Sequence, residues 1–357
     1  MWFNDDVRGV QSPDAKLPVI LCIDVEPDPR QPDPAHPAKW EGFEATVDFL
    51  SDMRPRLEET TGSPVTFNWF LRMDPQVERV HGSASWVVQH YGQLVKQLER
   101  AGDEIGLHTH AWRWDETARQ WITDHGDQRW VEHCVRTSFR TYEESFGRAC
   151  RSFRFGDRWM NNDTMHLLAA LGVECDLTLE PGIKDNRRVD RDELVTGSLA
   201  DYVRTPRVPF RPSRKDFRRN GDSNCLNLWC LPLSTGPRLV IRNGRLASIR
   251  RAVARFRCRH QPITLNFSNP APEFSNVLNR LLADNSTTYL APVARTDISI
   301  KPEFRTKFKR NIETLISHPR VERFAFVNAT KAIKLLSPEF LPNSYGVRSA
   351  ARLPIHH

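Results

Sequence analysis

Short apolar runs alternate with longer stretches of helical spacing through the first half of the chain. Pro18–Asp24 is a continuous apolar run closed by an acid, the pattern of a strand buried on both faces. Gly42–Thr60 puts Phe43, Val47, Leu50, Met53 and Leu57 on one helical face, with Pro55 expected to kink it. The rhythm continues with a strand at Val65–Leu71, a helix at Trp86–Arg100 closed by Gly102, and a strand at Asp103–Thr109. A Trp- and Arg-rich loop, Trp112–Gln128, precedes a helix from about Trp130 to Phe146. Cys150–Phe155 is the next strand, Asp163–Leu171 a helix closed by Gly172, and Val173–Thr178 another strand.

From Pro181 to about Pro262 the rhythm breaks, which reads as an insertion over one face of the domain. Within it Asn186–Glu193 and Arg211–Asn220 are charged and unpatterned, Leu226–Leu233 has strand character, and Arg245–Arg259 is an Arg-rich helical stretch. Pro262–Phe267 restores the strand pattern. Glu273–Ala283 and Glu303–Ser317 follow as helices, then a last strand at Arg323–Val327 running into Lys331–Leu336. Residues 1–16 read as a polar arm, 17–336 as one α/β domain and 337–357 as a peripheral tail. Alternating strands and helices imply a parallel α/β architecture, and about seven such units suit a barrel. Parallel folds gather their chemistry at the C-terminal ends of the strands.

Composition adds three constraints. With 357 residues, 39% apolar and 10% aromatic, the chain can bury a sizeable core, which excludes a disordered chain. A net charge of +7 favours an acidic partner such as an anionic glycan, against the alternative of a solvated basic surface. No nucleic-acid recognition motif accompanies that charge, so nucleic acid is excluded as a partner. The 7 cysteines are odd in number and irregular in spacing, as expected of reduced thiols. Met1–Gly9 lacks an apolar signal core, and no run reaches the ~20 apolar residues of a membrane span, so a cytoplasmic protein is expected.

The candidate chemistry sits at predicted strand ends. His108 and His110 close the Asp103–Thr109 strand, and residues i and i+2 of a strand share a face, so both imidazoles can grip one ion. Asp24 and Glu26 end the first strand, with Asp28 competing for the carboxylate role. Arg154, Gly156, Asp157, Arg158 and Trp159 close the Cys150–Phe155 strand, and Asp176 ends the next. A carboxylate with two imidazoles is a common catalytic metal set, and a second carboxylate nearby can accept a proton. The alternatives are hydrogen-bonded core histidines, a capping Asp24 and a structural Arg154–Asp24 ion pair. Trp112, Trp114, Trp121 and Trp159 are candidate sugar-stacking surfaces or packing, and Arg211–Arg219 is an anion grip or a charged surface loop.

These segments, in this order, resemble the polysaccharide deacetylases (the NodB-homology domain, carbohydrate esterase family 4). Ile23-Asp24-Val25-Glu26 resembles the first motif, Asp103-Glu-Ile-Gly-Leu-His108 the second, Phe153–Trp159 the third, and Leu171–Asp176 the segment bearing the fourth. The resemblance implies a distorted (β/α)7 barrel and a metal-dependent hydrolase that removes acetyl groups from N-acetylated sugars. It implies that Asp24 is the base, oriented by Arg154, and that Glu26 and His108 hold a divalent metal, Zn²⁺ or alternatively Co²⁺, with one further His. His110 fills that place here, because the family's His-x-x-x-His spacing would put Trp112 there. Asp176 would support an acid-side histidine, and Trp112, Arg158 and Trp159 would contact substrate. The family's late histidine is absent from Asn266-Phe267-Ser268-Asn269-Pro270; His260 and His318 lie away from that strand end, and His125 is a candidate substitute. The expected partner is an N-acetylated sugar or an anionic glycan precursor in surface polysaccharide assembly. The competing readings are an amidohydrolase for a non-sugar amide and a catalytically impaired glycan-binding relative.

Overall fold

The computed structural model describes residues 16–184, 194–238, 262–298 and 302–336. Its strands are β1 (Leu17–Val19), β2 (Cys22–Val25), β3 (Asn68–Arg72), β4 (Glu104–Thr109), β5 (Trp112–Asp115), β6 (Gln120–Asp124), β7 (Ser152–Phe155), β8 (Cys175–Asp176), β9 (Leu194–Thr196), β10 (Trp229–Cys230), β11 (Thr235–Pro237), β12 (Pro262–Thr264), β13 (Val293–Arg295) and β14 (Phe324–Phe326). Seven of them form one parallel sheet in the order β10–β8–β7–β4–β3–β2–β13. The chain around Leu265 closes it: Leu265 N donates to Ser234 O at 2.7 Å, and Phe267 N donates to Val293 O at 2.9 Å. The architecture is a distorted (β/α)7 barrel.

Helices α1 (Glu41–Thr61), α2 (Pro75–His81), α3 (Trp86–Arg100), α4 (Gln128–Phe146) and α5 (Asn162–Ala170) pack outside the sheet. Trp69 and Phe67 on the second stave, with Phe153 and Phe155 on β7, are almost fully buried in the core. At the bottom of the barrel Asp103 accepts from Arg54, Phe67 N and Trp69 Nε1, locking the entry to β4. The strand carrying both histidines is thus fixed at its start as well as by its neighbours β3 and β7.

Several expectations need correction. The Pro18–Asp24 run is two strands, because β1 pairs with β14 while β2 pairs with β3 and β13. Pro55 lies inside α1, which continues through it. Trp112–Gln128 is not a loop. Residues 112–124 form the antiparallel hairpin β5–β6, joined by β9, and Trp114 packs edge-on to its cross-strand partner Trp121. The span read as an insertion contains a stave: β10 pairs with β8, so the excursion returns to the barrel at Trp229. Helix α2 and strand β13 carry too few residues to stand out in the apolar pattern. The expected helix Arg245–Arg259, the segment Asn186–Glu193, His260, the arm and the tail lie outside the described residues, apart from Lys16 at the end of the arm.

Candidate metal centre

The site is built at the C-terminal ends of three adjacent staves. Glu26 is the first residue after β2, and its backbone N–H donates to Thr296 Oγ1 at 2.9 Å. His108 lies in β4 and His110 just past its end. The alternation of strand side chains brings both imidazoles to one side, as the i, i+2 spacing requires. His108 Nε2 lies 3.2 Å from Glu26 Oε1, His110 Nε2 lies 3.1 Å from the same oxygen, and the two Nε2 atoms are 3.0 Å apart. All three side chains are almost wholly buried.

The outer nitrogens fix the tautomers. His108 Nδ1 is 2.9 Å from the carbonyl oxygen of Arg154, which can only accept, so Nδ1 carries the proton and Nε2 a lone pair. His110 Nδ1 is 2.7 Å from Asp157 Oδ2, a carboxylate–imidazole pair that puts a proton on Nδ1 and, in the neutral ring, the lone pair on Nε2. With both rings neutral, three donor atoms therefore converge: two Nε2 lone pairs and one carboxylate oxygen. A tetrahedral ion with bonds of ~2.1 Å needs donors about 3.4 Å apart. The observed triangle is a few tenths of an ångström tighter, and the residues fit a divalent cation. Among the described residues this is the one grouping of three such ligands.

Charged neighbours hold the ligands in place. Burial alone would raise the Glu26 carboxyl, but the Arg72 and Arg30 guanidiniums hold it well below the usual carboxylate range. Arg72 is fully buried; its NH1 donates to Glu26 Oε2 at 2.5 Å, and its Nε and NH2 grip Asp74. Asp74 also caps α2 and accepts the backbone N–H of His110 at 3.1 Å. One carboxylate thus ties the end of β3, the start of α2 and the second imidazole together. Asp157 sits at φ +52°, in the left-handed region, and Arg158 follows at +56°. That strained turn aims Asp157 at three donors: His110 Nδ1, Trp112 Nε1 at 2.9 Å and Arg30 NH2 at 2.8 Å. Burial opposes its ionisation, but His110 and Arg30 hold it well below the usual range. Gly156 precedes it because a Cβ there would stand 2.1 Å from His110 Cε1.

The other expected residues are distributed as follows. Asp24 shares the face of Glu26, and Arg154 Nε donates to its Oδ1 at 2.7 Å. The carboxylate lies 3.9 Å from His108 Nδ1, beside the ligand triangle. Asp28 does not join the triangle: it accepts Gly42 N at 2.7 Å, and burial with nearby carboxylates raises its pKa to about 7. Asp176 accepts only from the Thr178 N–H and hydroxyl among the described residues, so its hydrogen bonds hold the backbone after β8 and reach no histidine. Burial lifts its pKa to about 6. Trp112 and Trp159 are each 2% exposed and offer no open face to a sugar ring. Trp112 lies 4.1 Å from His110 centroid to centroid, and Trp159 stacks on His125 at 4.9 Å. Arg158 is partly exposed. At the late strand end Asn269 Nδ2 donates to Thr264 O, and His318 pairs with Asn279 on the surface.

Sequence reasoning missed Arg30, Arg72, Asp74 and the structural part played by Asp157. Only Asp74 carried a local signal, an Asp directly before a Pro that opens a helix.

A parallel α/β barrel with a Glu–His–His cluster at its strand ends defines the class of this protein. No protein-family model matches the chain, and no curated protein does. Among solved structures it is similar to a putative polysaccharide deacetylase from Mycobacterium smegmatis, at 14% identity and a TM-score of 0.47, over 97% of this chain and 98% of that one. It is also similar to an allantoinase, at 11% identity and a TM-score of 0.48, over 95% of this chain and 99% of that one. A family 4 acetyl xylan esterase from Clostridium thermocellum, in complex with a cobalt ion, matches at 11% identity and a TM-score of 0.37, over 89% of this chain and 91% of that one. Among the described residues no helix is long and apolar enough to cross a membrane.

Proposed function

We propose that the protein is a metal-dependent hydrolase that removes an N-acetyl group from a sugar in surface-polysaccharide assembly. The observation that carries this reading is the convergence of two imidazole Nε2 atoms and one carboxylate oxygen within 3.0–3.2 Å of one another. Glu26, His108 and His110 hold a divalent ion, Zn²⁺ first and Co²⁺ as a substitute. Such an ion supplies Lewis-acid polarisation of an amide carbonyl and activation of water. Asp24 takes the proton of the attacking water. It stands two residues before Glu26 on the same strand face, and Arg154 Nε orients its carboxylate at 2.7 Å. Arg154 is itself held by Leu177 O at 2.8 Å, so the base is positioned by β7 and the chain after β8 together.

The test is acetate release from a panel of N-acetylhexosamine donors with Zn²⁺ or Co²⁺. No release from protein shown to carry one ion per chain sinks the proposal. A second reading, a glycan-binding relative that has lost turnover, is favoured by the late strand end, where Asn269 occupies the region of the absent histidine and binds Thr264 O at 2.8 Å. Activity that appears only in Asn269→His supports that second reading.

A further inference from the structure

The ligand side chains are closed off from solvent, with Glu26 and His110 each 1% and His108 2% exposed. Among the described residues hydrogen-bonded or ion-paired to the ligand side chains, Arg30 and Asp157 are the most exposed, with side chains 21% and 22% exposed. This pair is the part of the site nearest to solvent by that measure. The pair is electrically unequal in what it has left to offer. Asp157 already accepts from His110, Trp112 and Arg30. Arg30 spends only NH2 on it. Its Nε is buried with no hydrogen-bond partner, 3.4 Å from Glu26 Oε1, and its NH1 has no ion-pair or hydrogen-bond partner among the described residues.

The guanidinium is also held rigidly. Its Cζ lies 4.8 Å from the Trp112 ring centroid, Gln76 Nε2 donates to the Arg30 carbonyl at 3.0 Å, and Trp121 Nε1 donates to Pro32 O at 2.7 Å. A planar fork, fixed by an aromatic ring and a carboxylate and with NH1 left to donate, is a preorganised receptor for an oxyanion. Arg158, next to Asp157 and partly exposed, adds a second cation without an ion-pair partner among the described residues.

We infer that Arg30 is an anion receptor at the mouth of the metal centre, and that the substrate carries a carboxylate or phosphate close to the scissile amide. This rests on the reading of the centre as an N-deacetylase. The experiment measures equilibrium binding of N-acetylglucosamine, its 6-carboxylate and its 1-phosphate to the full chain supplied with Zn²⁺. One of the two anionic sugars is expected to bind about tenfold or more tightly than the neutral one, the size of one charge-assisted hydrogen bond, and which one it is identifies the anion. Arg30→Gln is expected to remove that ratio, and Arg30→Lys, which keeps the charge and loses the fork, to restore part of it. Equal binding of all three sugars by the unmodified protein, or an undiminished ratio in Arg30→Gln, overturns the inference. A preserved anion preference with no acetate released leaves the receptor standing and overturns the deacetylase reading. Acetate released without any anion preference does the opposite.

Discussion

His108 Nε2 and His110 Nε2 face each other at 3.0 Å with both Nδ1 protons already committed, one to a backbone carbonyl and one to a carboxylate. In neutral rings this sets two lone pairs face to face, and a cation between them removes their repulsion. The protein is therefore expected to bind one divalent ion per chain, and His108→Ala and His110→Ala are each expected to abolish stoichiometric binding, read by elemental analysis after gel filtration. Chelation should lower the melting temperature, because an ion that binds only the folded state stabilises it. A melting temperature unchanged by chelator would contradict a resident ion.

Asp157 acts through His110. Replacing it with Asn removes the charge that keeps Nδ1 protonated and the ring aimed, while the side-chain shape stays. Partners of this kind typically contribute ~10–100-fold in metal affinity. Asp157→Asn is expected to weaken Zn²⁺ binding by about that factor, measured by chelator competition.

Gly156 is needed by the same imidazole. A Cβ would lie 2.1 Å from His110 Cε1, and β7 leaves the backbone little room to retreat. Gly156→Ala is expected to destabilise the fold by about 1–3 kcal/mol, the usual size of an overpacking strain. It should also displace His110, and denaturant melts and metal titration read the two effects separately.

In the proposed function Asp24 contributes chemistry rather than ligation. Asp24→Asn is expected to keep the ion and lose about 10²–10⁴-fold in kcat, the range for removal of a general base. A variant that loses its metal instead would make Asp24 a ligand.

A pH effect should appear far from the site. His81 accepts the Trp40 indole N–H at 3.3 Å and stacks on Trp86 at 4.0 Å, and burial together with nearby His90 lowers its pKa from 6.5 to about 4. The unfolded chain therefore takes up a proton below pH 6.5 that the folded protein refuses until about pH 4. The stability from His81 is complete above that window and is lost as pH falls through it. His81→Gln, which can still accept from Trp40, should flatten the fall in urea midpoint between about pH 7 and pH 5. An unchanged fall would assign the acid sensitivity to other groups.

Local signals were enough for the alternating α/β plan, for the strands carrying Asp24, His108 and Arg154, and for the shared face of His108 and His110. Each depends on a period of two or of 3.6 along the chain, which the residues carry in their order. The choice between Glu26 and Asp28 was not of that kind. Both follow the same strand, and what separates them is that Arg72 and two imidazoles meet Glu26 while Gly42 N meets Asp28. Likewise nothing near Trp112 or Trp159 marks them as buried walls, and nothing near Arg30 marks it as the partly open cation beside Glu26. The chain order determined which faces the histidines share. Only the closing of β2, β3, β4 and β7 side by side decided which carboxylate meets them and which charges hold it, because those partners stand 46 to 84 positions apart in sequence and meet through the barrel alone.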